Sequence, residues 1–284
     1  MQEATSGGGV TYCGAVDVRR AHNVVVTGDP AGRVLLFAHG FGCDQNMWRF
    51  VAPHFEDTHR VVRFDHVGAG RAQAPYDAAR HASLDGYAED VVRICEELDL
   101  HDVAFVGHSV SAMIGVLAHR RAPERFSSLA LVGPSPRYVD DDGYAGGFDR
   151  ADIDDMLAAL ASNYLGWSSS MAPAIVGNPD RPELGAELTE SFCRADPAIA
   201  ERFARATFLA DNRADLPHVT VPTLVMQSSE DLIAPMRVGQ YVAAAIPDST
   251  FVVLEATGHC PNLSAPDEVI TALESFLAER GGGW

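Results

Sequence analysis

Phe105-Val106-Gly107-His108-Ser109-Val110-Ser111-Ala112 carries more chemistry than any other octet of this chain. Its spacing predicts a short apolar strand that runs into a helix through a turn with room for small residues only. Ser109, at the apex, would project its hydroxyl above the sheet edge. The helix N-terminus beneath it would offer free N–H groups and the positive end of a dipole. A serine that attacks a carbonyl and then shelters negative charge needs both. The pattern is G-x-S-x-S, with Ser111 where a second glycine is usual; serine is still small enough for close strand–helix packing. Taken alone, the octet also fits a serine that merely caps a helix.

Its partners favour the chemical reading. Ser228-Ser229-Glu230-Asp231 closes an apolar strand, Thr223–Gln227, and puts an acid at the sheet edge. Ala256-Thr257-Gly258-His259 follows the last strand and puts a histidine in the neighbouring loop. Ser109, Asp231, His259 is the nucleophile–acid–base order expected on a strand–turn–helix nucleophile. Glu230 is the rival acid, but successive side chains point different ways, and Asp231 is preferred. His39-Gly40-Phe41-Gly42 follows the strand Val34–Ala38, and a glycine-rich turn there supplies a second backbone donor. The oxyanion hole is therefore expected at the N–H groups of Phe41 and Val110, with His39 structural.

The elements that must position these groups alternate. Val24–Thr27, Val34–Ala38, Val61–Phe64, Val103–Val106 and Leu129–Val132 read as strands, and Thr223–Gln227 and Phe251–Leu254 resume the series. Most are apolar throughout, as parallel strands covered on both faces are. Helices are expected over Asp44–Phe55, after the Ser83 cap, from Ser109 to about Arg121, over Met236–Ala245 and over Glu268–Glu279. From Pro136 to Arg213 the patterns are helical only: Ile153–Tyr164, Glu183–Cys193 and Ala198–Leu209. An all-helical insertion in an α/β sheet follows, expected to choose the ligand rather than perform the chemical step.

Composition sets the limits. The chain has 284 residues, 47% hydrophobic, which is ample for a buried core and excludes global disorder. Its net charge of −18 leaves no basic footprint for nucleic acid and would be repelled by an anionic membrane. Every one of its 21 basic residues is arginine. No apolar run approaches the ~20 residues of a membrane helix, and the start lacks the features of a secretory signal. Five cysteines without C-x-x-C spacing point to a reduced cytoplasmic protein with neither structural disulfides nor a zinc site.

Several stretches together resemble one group of α/β-hydrolases. They are His39–Trp48, Gly107–Ala112, Gly133-Pro134-Ser135-Pro136-Arg137-Tyr138, Gly146-Gly147-Phe148, Asn163-Tyr164 with Trp167, and Gly258-His259-Cys260-Pro261. The group contains the bacterial energy-stress regulator RsbQ and the plant karrikin and strigolactone receptors. The likeness runs from about Arg20 to Ala278. It implies an eight-stranded, mostly parallel sheet with an inserted four-helix cap. The expected layout is a flexible leader over 1–19, a core over 20–135 and 214–280, the cap over 136–213 and a tail over 281–284. Between cap and core it implies an apolar small-molecule pocket at Phe41, Tyr138, Phe148, Trp167, Met171 and Phe208. The activity implied is a slow, cofactor-free hydrolysis of a small apolar ester or lactone, with no metal. The alternative it implies is a bacterial signalling module whose loaded pocket controls a PAS-domain serine phosphatase in a stress response.

Overall fold

The structure, a computed structural model, describes residues 17–280. Asp17 caps one helical turn, α1 (Val18–Ala21), in which Val18 is buried. Asp17, Val18 and Arg19, which fall within the flexible leader expected over 1–19, belong to this turn; residues 1–16, with Cys13, and the tail 281–284 lie outside the described residues. Strands β1 (Val25–Gly28) and β2 (Arg33–Ala38) follow. Where a helix is expected over Asp44–Phe55 there are two 3-10 turns, Gln45–Trp48 and Ala52–Phe55. Pro53 cannot donate to a continuous helical ladder, while Trp48, Val51 and Phe55 still bury the apolar face.

Next come β3 (His59–Arg63), α2 (Leu84–Glu97, capped by Ser83), β4 (Val103–His108), α3 (Val110–Arg121) and β5 (Phe126–Val132). Four helices follow in succession: α4 (Arg150–Ser162), α5 (Tyr164–Val176), α6 (Pro182–Cys193) and α7 (Pro197–Phe208). The residue patterns mark only three of them. They miss α5 because Gly166, three consecutive serines and Pro173 dilute its helical signal; Asn163 caps it by accepting from the Gly166 N–H. The chain closes with β6 (Thr223–Glu230), α8 (Met236–Ala245), β7 (Ser249–Thr257), α9 (Pro261–Ser264) and α10 (Pro266–Arg280).

Among the described residues the sheet has seven strands, in the order β1-β3-β2-β4-β5-β6-β7. The eighth strand that the resemblance implies is not among them; the apolar runs themselves mark seven. Only β1 is antiparallel to its neighbour. Adjacent residues feed opposite faces, as the pleat demands: Leu36 and Phe105 enter one core cluster, Phe37 and Val106 the other. The second cluster continues without a break into the cap through Leu157, Trp167, Leu188 and Phe192. Because six strands run parallel, the loops after β2, β4, β6 and β7 emerge at one edge. The strand order reverses between β2 and β4, where an open α/β sheet forms its crevice. No helix among the described residues is long and apolar enough to cross a membrane.

Candidate active site

The β4–α3 turn is tight for an identifiable reason. A Cβ on Gly107 would stand 2.5 Å from the Ser111 carbonyl oxygen, so no larger residue fits. Ser109 pivots the chain at φ 57°, ψ −123°, a region that costs a non-glycine residue about 1–3 kcal/mol. Its N–H donates to the Val132 carbonyl at 2.8 Å, which holds the pivot against β5. The strain keeps Oγ clear of helix capping: no side-chain cap is made at α3.

Ser109 Oγ lies 2.7 Å from His259 Nε2, and His259 Nδ1 lies 2.8 Å from Asp231 Oδ2. The Asp231 carboxyl is fully buried and saturated: Oδ1 accepts from the Ile233 and Ala234 N–H groups, and Oδ2 accepts from Gln227 Nε2 as well as from His259. Burial alone would raise its pKa. His259 and the two backbone donors outweigh that and hold it below the usual carboxylate range. Glu230 is exposed on the last residue of β6.

The main chain of His259 is held from two sides. Its carbonyl accepts from His108 Nε2–H at 2.6 Å, and its N–H donates to the Ile175 carbonyl of α5 at 2.8 Å. Desolvation drives the pKa of His108 down to about 3, so that ring is a neutral strut. Gly258 sits at φ 90° with its Cα against α5; a Cβ there would stand 1.7 Å from the Val176 carbonyl oxygen. The inserted helices therefore support the histidine as well as covering it, a contact between residues 84 positions apart that no local pattern announces.

A cavity of about 30 Å³, room for one or two waters, opens over Ser109. Phe41, Tyr138, Trp167 and Phe208 line it, as do Ser109 and His259. Phe148 and Met171 do not: both are half-buried and pack on the core cluster instead. Phe148 is tied into a short bridge, its N–H donating to the Tyr138 carbonyl, which fixes it away from the floor. The residue patterns leave out Leu188 and Phe192, which stand at i and i+4 on α6 and complete the wall. Phe41 is the hub, with ring centroids of Trp167, Phe192, Phe203 and Phe208 5.6–6.3 Å away. Cys43 and Cys260 also line the cavity; burial pushes the Cys260 thiol up to about 12 and Cys43 well up, so both are inert neighbours.

Val110 begins α3, so its N–H has no helical acceptor. The Phe41 N–H likewise has no acceptor among the described residues. A serine, a histidine with a buried carboxylate behind it and two free N–H groups can attack an acyl carbon, move a proton and hold an oxyanion. No cluster able to hold a metal ion occurs among the described residues, whose four cysteines are free.

Comparison with known proteins agrees with this fold. Residues 33–266 match the family model for the alpha/beta hydrolase fold. The chain is 41% identical to the "Karrikin insensitive 2 receptor CA" of Petunia hybrida over 258 residues, 90% of this chain and 95% of that one. It is 40% identical to the "Strigolactone esterase D14" of Arabidopsis thaliana, over 89% and 94% of the two chains. Among solved structures, a hydrolase from Oleispira antarctica superposes with a TM-score of 0.89 at 39% identity, covering 92% of this chain and 96% of that one. The chain belongs to the alpha/beta hydrolase fold family, and within it is homologous to the plant karrikin and strigolactone receptors.

Proposed function

We propose that the protein is a serine hydrolase of small apolar carboxylic esters or lactones, acting through Ser109, His259 and Asp231. The observation that carries this reading is the unbroken hydrogen-bond relay from the buried Asp231 carboxylate through His259 to Ser109, on the floor of an aromatic cavity. Ser109 attacks the acyl carbon while His259 Nε2 takes its proton and then delivers it to the leaving oxygen. Asp231 holds the imidazole as the Nδ1–H tautomer and stabilises it when protonated. The Phe41 and Val110 N–H groups receive the oxyanion, and water activated by His259 releases the acid. None of these steps calls for a cofactor.

The aromatic lining selects the ligand. Removing apolar ligand surface from water contributes roughly 25 cal/mol per Å². With room for one or two waters, the cavity must widen by side-chain movement to take a bulky acyl group. Trp167→Ala and Phe208→Ala are therefore expected to weaken bulky esters far more than a small activated acetate. The ratio of kcat/KM for the two substrates, compared with wild type, tests this. Equal losses on both would assign these rings to fold stability and overturn the pocket assignment.

A second reading is favoured by homology to a protein named as a receptor. In it the same pocket and relay serve signalling in the manner of the RsbQ group, in a bacterial cytoplasm, with a PAS-domain serine phosphatase as the partner of the ligand-loaded state. Turnover on activated esters below about one per minute, far under the ~10 per second of a median enzyme, would favour it. Binding of purified phosphatase that responds to pocket ligands would test the partner directly.

A further inference from the structure

Ser111 and His66 take no part in the reaction just described, yet both are buried beside it. Ser111 Oγ lies 2.5 Å from the His39 carbonyl oxygen and 2.7 Å from His66 Nε2. A carbonyl only accepts, so the single hydroxyl proton goes to His39, and Oγ must accept from His66 Nε2–H. The proton of His66 is thereby placed on Nε2. Its Nδ1 is bare, buried and without a partner, and desolvation keeps the ring neutral.

The same logic runs on into the loop after β2. The main-chain N–H of His66 donates to His39 Nε2 at 3.0 Å, which leaves the His39 proton on Nδ1. That Nδ1–H donates to the Gly40 carbonyl at 2.8 Å. The Gly40 carbonyl and the Phe41 N–H are opposite ends of one trans peptide plane, so fixing the first fixes the direction of the second. Ser111 is also chained directly to Val110, which carries the other free N–H.

We propose that His66 and Ser111 are positioning residues that orient the Gly40–Phe41 peptide and so align the two donors of the oxyanion hole. This rests on the hydrolase reading above. The hydroxyl at the place of the usual glycine then clamps the nucleophile helix to the oxyanion loop, and His66 sets the direction in which that clamp donates. Neither residue lines the cavity, so both act through the loop and not on the substrate.

The test compares wild type with His66→Leu, His66→Gln, Ser111→Ala and the double variant His66→Leu/Ser111→Ala. Two readouts are taken: hydrolysis of a small activated acetate, and the rate at which a fluorophosphonate labels Ser109. His66→Leu and Ser111→Ala are each expected to lower kcat about tenfold, less than the ~10²–10³ that follows outright deletion of a donor. KM should stay within about twofold, because the hole acts on the transition state. Labelling should slow in parallel. His66→Gln, which keeps a side-chain N–H within reach of Ser111, should recover most of the loss. The double variant should fall little below either single one, since both act through one link. Single variants with wild-type kcat, or His66→Gln as slow as His66→Leu, would overturn the proposal. Failure of the wild type to hydrolyse or to label would instead overturn the hydrolase reading, and this inference with it.

Discussion

Ser109→Ala is expected to lower hydrolysis of a model ester at least ~10³-fold while leaving the fold intact. Removing the hydroxyl takes away the partner of His259 Nε2 at 2.7 Å and, on the hydrolase proposed above, the atom that forms the acyl bond. What remains is the contribution of the oxyanion hole and of binding, the residual left when any member of such a unit is lost. The backbone pivot does not depend on the side chain, because the bond that holds it is made by the Ser109 N–H to Val132. Thermal unfolding should therefore shift little. The decisive measurement is turnover of an activated acetate at saturation, and unchanged turnover would sink the nucleophile assignment.

Asp231→Asn should be nearly as damaging, with a loss on the order of 10³–10⁴-fold in kcat. The carboxylate accepts from two backbone N–H groups at Oδ1 and from Gln227 and His259 at Oδ2. An amide there turns its oxygen toward Ile233 and Ala234, because those main-chain N–H groups can only donate, whereas His259 can move its proton to the other ring nitrogen. The NH₂ then confronts His259 Nδ1 and forces the proton onto Nε2, where it blocks acceptance of the Ser109 proton. Glu230→Gln should be close to silent, because that side chain is exposed and its residue contributes to the site only by a carbonyl that accepts from Gly258. Reversed effects would move the acid by one residue. The lowered pKa of Asp231 has a corollary for stability. A depressed carboxylate stabilises the fold above its unfolded pKa, and that contribution disappears as pH falls through its folded pKa.

Much of this was legible because parallel sheets deliver chemistry in a fixed order. Apolar runs located all seven strands, and residues just beyond the ends of β4, β6 and β7 were the ones to ask for a nucleophile, an acid and a base. Local signals failed where tertiary contacts decide. Tyr164–Val176 is helical despite Gly166 and Pro173 because Trp167, Ala172 and Val176 find a core to enter. Phe148 and Met171 belong to the right segment, but which apolar residues of a cap face the cavity depends on how its helices cross. Leu188 and Phe192 show an i, i+4 stripe in the sequence; only the packing of α6 on α5 says that the stripe looks down on Ser109. The Asp44–Phe55 segment kept its predicted apolar face while losing its helix to Pro53, so burial there was more legible than backbone.

The hydrogen bond from the His259 N–H to the Ile175 carbonyl bears on any attempt to re-engineer specificity by exchanging modules. A transplanted lid would ordinarily be judged by its fit to a new ligand. Here it must also end its second helix with an unused carbonyl at the place of Ile175, and meet a glycine at 258 closely enough to lie against it. A chimera that satisfies the ligand but misses those two main-chain contacts would bind and yet leave His259 without one of the two anchors of its backbone. The junction worth conserving in such a graft is therefore the C-terminal turn of α5, remote in sequence from either point where the helical segment joins the sheet.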